Sequence, residues 1–220
     1  MGCRFTGQDS IFLFFIYIFL YPTQPGLTDR FMNKSQPKFI DCFAELIAQP
    51  SISSFDPRLD QSNRAVIGLL ADWLSSMGFA VEQVKVNDDP EKFNLIACAG
   101  RGPGGLVLAG HTDTVPFNET AWSQDPFRLT ERENRLYGLG TSDMKCFFPI
   151  IIECLKQFNL SALQQPLYVL ATCDEESTMA GIVETTLQYR ITKILFRLQW
   201  NKLFSLLLKR EMTYHHVASI

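Results

Sequence analysis

Three short stretches of the 220-residue chain carry metal- and proton-binding side chains. His111-Thr112-Asp113 follows the apolar run 106–110, and Asp174-Glu175-Glu176 follows the apolar run 167–173. Between them, Asp143 is the only acid of the loop Gly140-Thr141-Ser142-Asp143-Met144-Lys145. In extended backbone, residues two apart share a face, so Asp113 is placed to accept an N–H from a metal-binding His111 and fix its tautomer. Asp143 can offer its two oxygens to two cations. Consecutive side chains diverge, so Glu175 and Glu176 can divide their labour, one holding a metal and the other taking a proton from water. Each stretch alone has a plainer reading. H-x-D is common, an aspartate entering a helix can simply cap it, and an acidic triplet is usually a solvated turn. Their joint occurrence at the ends of regular runs is what singles them out.

The spacing of apolar residues says which elements must place these groups. Ser35 can cap a helix with Pro37 in its first turn and Phe39, Phe43, Leu46 and Ile47 on one face, stopped by Pro50. A second helix starts near Ser62, turns Val66, Leu69, Leu70, Trp73, Leu74 and Met77 inward, and ends at Gly78. Residues 79–86 alternate as a strand, 93–99 read as another, and a glycine-rich turn leads into a buried strand at 106–108. Residues 147–158 have helical spacing, with Pro149 out of place, and 167–171 form a further buried strand. Alternating strands and helices predict an α/β fold with an open, mostly parallel sheet flanked by helices. Ligands in such sheets bind beyond the carboxyl ends of the strands, which is where His111 and Asp174 fall.

The segments GHTDTVPF, Trp122 with DPF, LYGLGTSDMK and ATCDEESTMAG occur in that order. Together they resemble the di-zinc amidohydrolase and metallopeptidase family, which includes acetylornithine deacetylase, succinyl-diaminopimelate desuccinylase, aminoacylase and the glutamate carboxypeptidases. The resemblance covers about residues 32–181. It implies a zinc-peptidase-like catalytic domain with two divalent metal ions, Zn2+ or alternatively Co2+. It further implies that His111 ligates one metal, Asp143 bridges both, Glu176 ligates the second, Asp113 orients His111 and Glu175 is the general base. DTVPF, DPF-x-LT, RLYGLGT and DEE-S-x-MAG look most like the acetylornithine deacetylases. That implies a small acylated amino acid as substrate, acetate and ornithine as products, arginine biosynthesis as the setting and the cytoplasm as the compartment. The runner-up is another amidohydrolase of the family, such as a succinyl-diaminopimelate desuccinylase or a dipeptidase.

The family pattern stops after Gly181. The Gly-Glu-Pro acidic ligand, the late histidine and the inserted dimerisation domain that the family carries do not follow in this sequence. The expectation is the N-terminal half of a catalytic domain at 32–181, with impaired activity, exposed apolar surface and poor solubility. The homodimer of the intact family is then not expected. Within the matched region, Cys146 stands where the family has glycine, and it and Pro149 threaten the loop carrying Asp143.

Charge separates the chain into three parts. Residues 1–31 are net zero, 32–181 carry −7 and 182–220 carry +4. The apolar run 11–21 is too short to span a bilayer and reads as an extension outside the domain rather than a working signal. Residues 182–220 read as an unrelated basic tail left by a truncation or frameshift. Its Leu187, Ile191, Ile194, Leu195 and Leu198 recur at helical spacing, so the alternative is a non-catalytic product that binds a partner or a membrane surface. His215 and His216 read as surface residues. The net charge of −3 argues against a general nucleic-acid binder. The six cysteines are scattered without a CxxC pair and read as reduced thiols of a cytosolic protein.

Overall fold

The computed structural model describes residues 38–189. The apolar run 11–21, the Ser35 cap, His215, His216 and the basic residues beyond 189 lie outside the described residues. Among the described residues there are six strands and four α-helices: α1 (Phe39–Ile47), α2 (Arg64–Ser76), β1 (Ala80–Asp88), β2 (Glu91–Ala99), β3 (Leu106–His111), β4 (Thr130–Arg132), β5 (Arg135–Tyr137), α3 (Phe147–Leu155), β6 (Leu167–Thr172) and α4 (Ala180–Tyr189). A four-stranded sheet runs β1-β2-β6-β3, and β4 and β5 form a separate small hairpin.

The helices follow their apolar stripes. Cys42, Phe43, Leu46 and Ile47 are buried on α1, and Val66, Ile67, Leu70, Ala71 and Leu74 on α2. Gly78 follows α2 with φ +94°, the left-handed stop that glycine adopts without penalty. Pro149 is the third residue of α3. First-turn N–H groups have no intrahelical acceptor, so a proline there removes no bond. The helix ends at Leu155, three residues short of its expected end.

The α/β architecture with a sheet and flanking helices is as expected, but the sheet is mixed rather than mostly parallel. β1 pairs with β2 and β2 with β6 in antiparallel fashion, and only β3–β6 is parallel. The reason is the two-residue connection Asp89-Pro90 between β1 and β2, which permits only a hairpin, since a parallel return needs a crossover of a dozen residues.

One core cluster joins α2 (Val66, Leu70, Leu74), β2 (Leu95, Ala97, Ala99), Leu108 and α3 (Phe148, Ile151, Leu155). Each large side chain buried there contributes roughly 1.5–3 kcal/mol. A second cluster of Phe43, Ile47, Leu136 and Cys146 ties α1 to β5 and to the start of α3. Cys146 is therefore part of the packing. Because side chains alternate along a strand, Lys92 and Asn94 face away from the Leu95–Ala97–Ala99 side of β2, yet both are buried. Those two polar groups reach the turn after β6.

Candidate active site

β3 and β6 lie side by side with His111 in register with Thr172. The two acid- and histidine-bearing segments therefore leave the sheet together at the same carboxyl edge. Beyond β3, Thr112 N donates to Thr172 O at 2.9 Å and Ser51 Oγ donates to Thr112 O at 2.7 Å. Ser53 N donates to Thr114 O at 2.9 Å, so the segment after α1 braces the histidine-bearing stretch.

All five residues singled out in the sequence converge here. His111 is 5% exposed. Its Nδ1 donates to the Asp113 carbonyl at 3.1 Å and faces Asp113 Oδ1 at 3.5 Å. Its Nε2 lies 3.1 Å from Asp143 Oδ1 and 3.9 Å from Glu175 Oε2. Asp113 Oδ2 accepts the backbone N–H of Glu176 at 3.0 Å, which ties the two strand ends to each other. Asp113 Oδ1 is buried without a hydrogen-bond partner. His111, Glu175 and Glu176 offer ligand atoms that all lie within 4.8 Å of one another. Asp143 does not cap α3, whose N-cap is Cys146. Its side chain is 71% exposed while still reaching the imidazole.

The charges are mutually frustrated without a cation. Burial alone would depress the His111 imidazole, but the carboxylates of Asp113 and Asp143 outweigh it and push it up to about 10. Burial, and then the Asp143 charge, push the Glu176 carboxyl up to about 7. Burial also raises Asp113, but the contacts with His111 and the Glu176 N–H win and hold it below its usual range. One imidazole nitrogen and several carboxylates facing each other at the mouth of a sheet are the donor set of a divalent metal such as zinc. With Nδ1 engaged by Asp113, Nε2 is the nitrogen that would take an ion, which displaces its proton on binding. The residues present thus fit the metal that their order in the sequence suggested.

The sequence reading missed the groups that hold this cluster up. Lys145 is fully buried, and its Nζ donates to the Gln49 carbonyl at 2.6 Å, anchoring the Asp143 loop beyond the C-terminus of α1. Asn94 Oδ1 accepts the Cys173 N–H at 3.1 Å, while its Nδ2 donates to Gly181 O at 2.7 Å and Thr185 Oγ1 at 2.8 Å. Asn94 thereby closes the loop between β6 and α4. The available signal was parity, since a lysine and an asparagine occupy alternate positions of a strand whose other residues are mostly apolar. Gly181 is pinned in the same place: a Cβ there would lie 2.4 Å from Cys173 O and 2.7 Å from Cys173 N. Gly181→Ala is expected to destabilise the fold by about 1–3 kcal/mol, the usual cost of overpacking, measured by urea denaturation. A variant with wild-type stability would show that the loop relaxes freely.

Residues 107–209 match the model of Peptidase family M20/M25/M40. The matched stretch contains His111, Asp113, Asp143, Glu175 and Glu176. Among the curated relatives that match this chain are acetylornithine deacetylases. That of Photorhabdus laumondii is 57% identical over 150 residues, covering 68% of this chain and 39% of the relative. That of Klebsiella pneumoniae is 53% identical over 158 residues, covering 70% and 41%. The chain thus spans about two-fifths of the length of these relatives. Among solved structures, the M20 metallo-carboxypeptidase of Sulfolobus solfataricus superposes with a TM-score of 0.60 at 17% identity, covering 72% of this chain and 36% of that one. Human carnosine dipeptidase 1 gives a TM-score of 0.58 at 23% identity, covering 70% and 35%. These two likenesses establish the fold. Among the described residues, no helix is long and apolar enough to cross a membrane.

Proposed function

We propose that this chain supplies metal-binding and proton-transfer residues of an amide hydrolase that removes the acetyl group from N-acetylornithine. The observation that carries the reading is the convergence of His111, Asp113, Asp143, Glu175 and Glu176 at one sheet edge, within a segment 57% identical to an acetylornithine deacetylase. His111, Asp143 and Glu176 are the proposed ligands of two divalent ions, Zn2+ or Co2+. When bound, such ions polarise the amide carbonyl and make water more acidic. Asp113 holds the Nδ1 proton of His111 and so keeps Nε2 directed at the ion. Glu175, with its side chain 45% exposed, takes the proton released as water adds to the carbonyl. It delivers that proton to the amine as the C–N bond breaks, giving acetate and ornithine. The free thiols Cys42, Cys98 and Cys173 support placement in a reducing compartment such as the cytoplasm.

The test is a chimera in which residues 38–189 replace the matching segment of the Photorhabdus laumondii enzyme, assayed beside the 220-residue chain itself. With zinc, the chimera is expected to release acetate from N-acetylornithine. It is expected to act at least tenfold less well on succinyl-diaminopimelate and on a dipeptide. A folded, zinc-loaded chimera that releases no acetate overturns the reading.

A further inference from the structure

Lys92 is a buried cation outside the proposed catalytic set. It is 1% exposed at the start of β2, and its Nζ lies 2.7 Å from Asp60 Oδ1 and 3.0 Å from Asp174 Oδ1. Asp174 immediately precedes the two glutamates and adopts φ +57°, a left-handed turn conformation that aspartate tolerates better than most residues. Its carbonyl accepts the N–H of Met179 at 2.6 Å, closing the turn. Its carboxylate also accepts from Ser53 Oγ at 3.0 Å, and Ser53 contacts the Ser177 hydroxyl on the far side of the same turn. Asp60 is fixed in turn by the N–H of Ser54 at 3.1 Å. Burial works against the Lys92 charge, but the hydrogen bonds to Asp60 and Asp174 outweigh it and raise its pKa, so it remains a cation.

A buried ion pair is a poor source of stability, because desolvation offsets most of the attraction. What it does supply is position. Without this cation, Asp174 would add another uncompensated carboxylate next to Glu175 and Glu176, and its side chain would lose its ionic partner and keep the Ser53 hydroxyl. We propose that Lys92 is a positioning residue, which clamps Asp174 and thereby fixes the turn that presents Glu175 and Glu176 to a divalent ion. The inference rests on the reading of those glutamates as part of a metal site.

The test uses Lys92→Met and Asp174→Asn in the full chain, with two readouts. Amide hydrogen exchange across residues 174–179 is expected to speed up tenfold or more in both variants, while residues 106–111 stay protected as in the wild type. Titration with cobalt(II) alone is expected to show a loss of affinity of roughly 10–100-fold, the usual effect of losing a group that supports a ligand, with an altered visible absorption band. Asp174→Asn leaves Lys92 paired to Asp60, so it carries the test if Lys92→Met fails to fold. Unchanged exchange at 174–179, or equal acceleration throughout the sheet, overturns the proposal. A wild-type chain that binds no cobalt overturns the metal reading instead, and the exchange data then still decide whether Lys92 holds the turn.

Discussion

His111→Ala is expected to cost the chain more metal affinity than the roughly 10–100-fold typical of losing a supporting residue. Among the described residues the imidazole is the only nitrogen donor of the cluster and is the point on which its groups converge, with Asp143 at 3.1 Å and Glu175 at 3.9 Å from Nε2. Removing it leaves carboxylates that repel one another, and Glu176, already raised to about 7, loses the positive neighbour that favoured its ionised form. Asp113→Asn serves as the comparison. It keeps the histidine but replaces the carboxylate facing Nδ1, so its loss is expected to stay within the 10–100-fold range. Cobalt(II) or zinc(II) titration of the two variants, at matched near-ultraviolet circular dichroism, measures both. If His111→Ala binds within threefold of the wild type, the metal does not sit at this edge of the sheet.

Much of the site was legible because its residues sit where regular elements end. His111 and Asp174 each follow an apolar run, so the positions of the strands already placed them at a carboxyl edge. The parity of i and i+2 residues already paired Asp113 with His111. The supporting residues were not legible in the same way. Lys92 reads as an ordinary strand lysine until Asp60 and Asp174, 32 and 82 residues away in the chain, are seen to meet it. Lys145 lies in the same loop as Asp143, but its acceptor is a backbone carbonyl of Gln49, and no sequence pattern marks a carbonyl. The sheet topology was misread for a local reason. Alternation marks strands only at 79–86 and 93–99, whereas both strands run on to Asp88 and from Glu91, leaving the two-residue Asp89-Pro90 link that makes them a hairpin. Pro149 reads as out of place in the 147–158 helix, yet as its third residue it falls where backbone N–H groups have no intrahelical acceptor and proline removes no bond.

Glu175→Gln and Glu176→Gln, read in the same chimera, are expected to fail in different ways. Glu175 is the more exposed partner, at the outer side of the cluster, and its proposed work is to move a proton. Its amide variant is expected to keep metal binding within a few-fold and to lose roughly 10²–10⁴ in turnover, the usual contribution of a general base, with KM little changed. Glu176 is anchored by its own N–H to Asp113 Oδ2 at 3.0 Å and is half-buried against the Asp143 charge. That is a place where an ionised carboxylate is tolerable only beside a cation. Its amide variant is expected to lose metal first and turnover as a consequence, with partial rescue by excess zinc, whereas excess zinc does nothing for Glu175→Gln. The assay is acetate release from N-acetylornithine across a zinc titration, with bound metal counted in the same samples. If zinc rescues both variants alike, the two carboxylates share one role and the division of labour between them is wrong. If Glu175→Gln turns over at the wild-type rate, the proton is taken by another group and Glu175 belongs among the ligands.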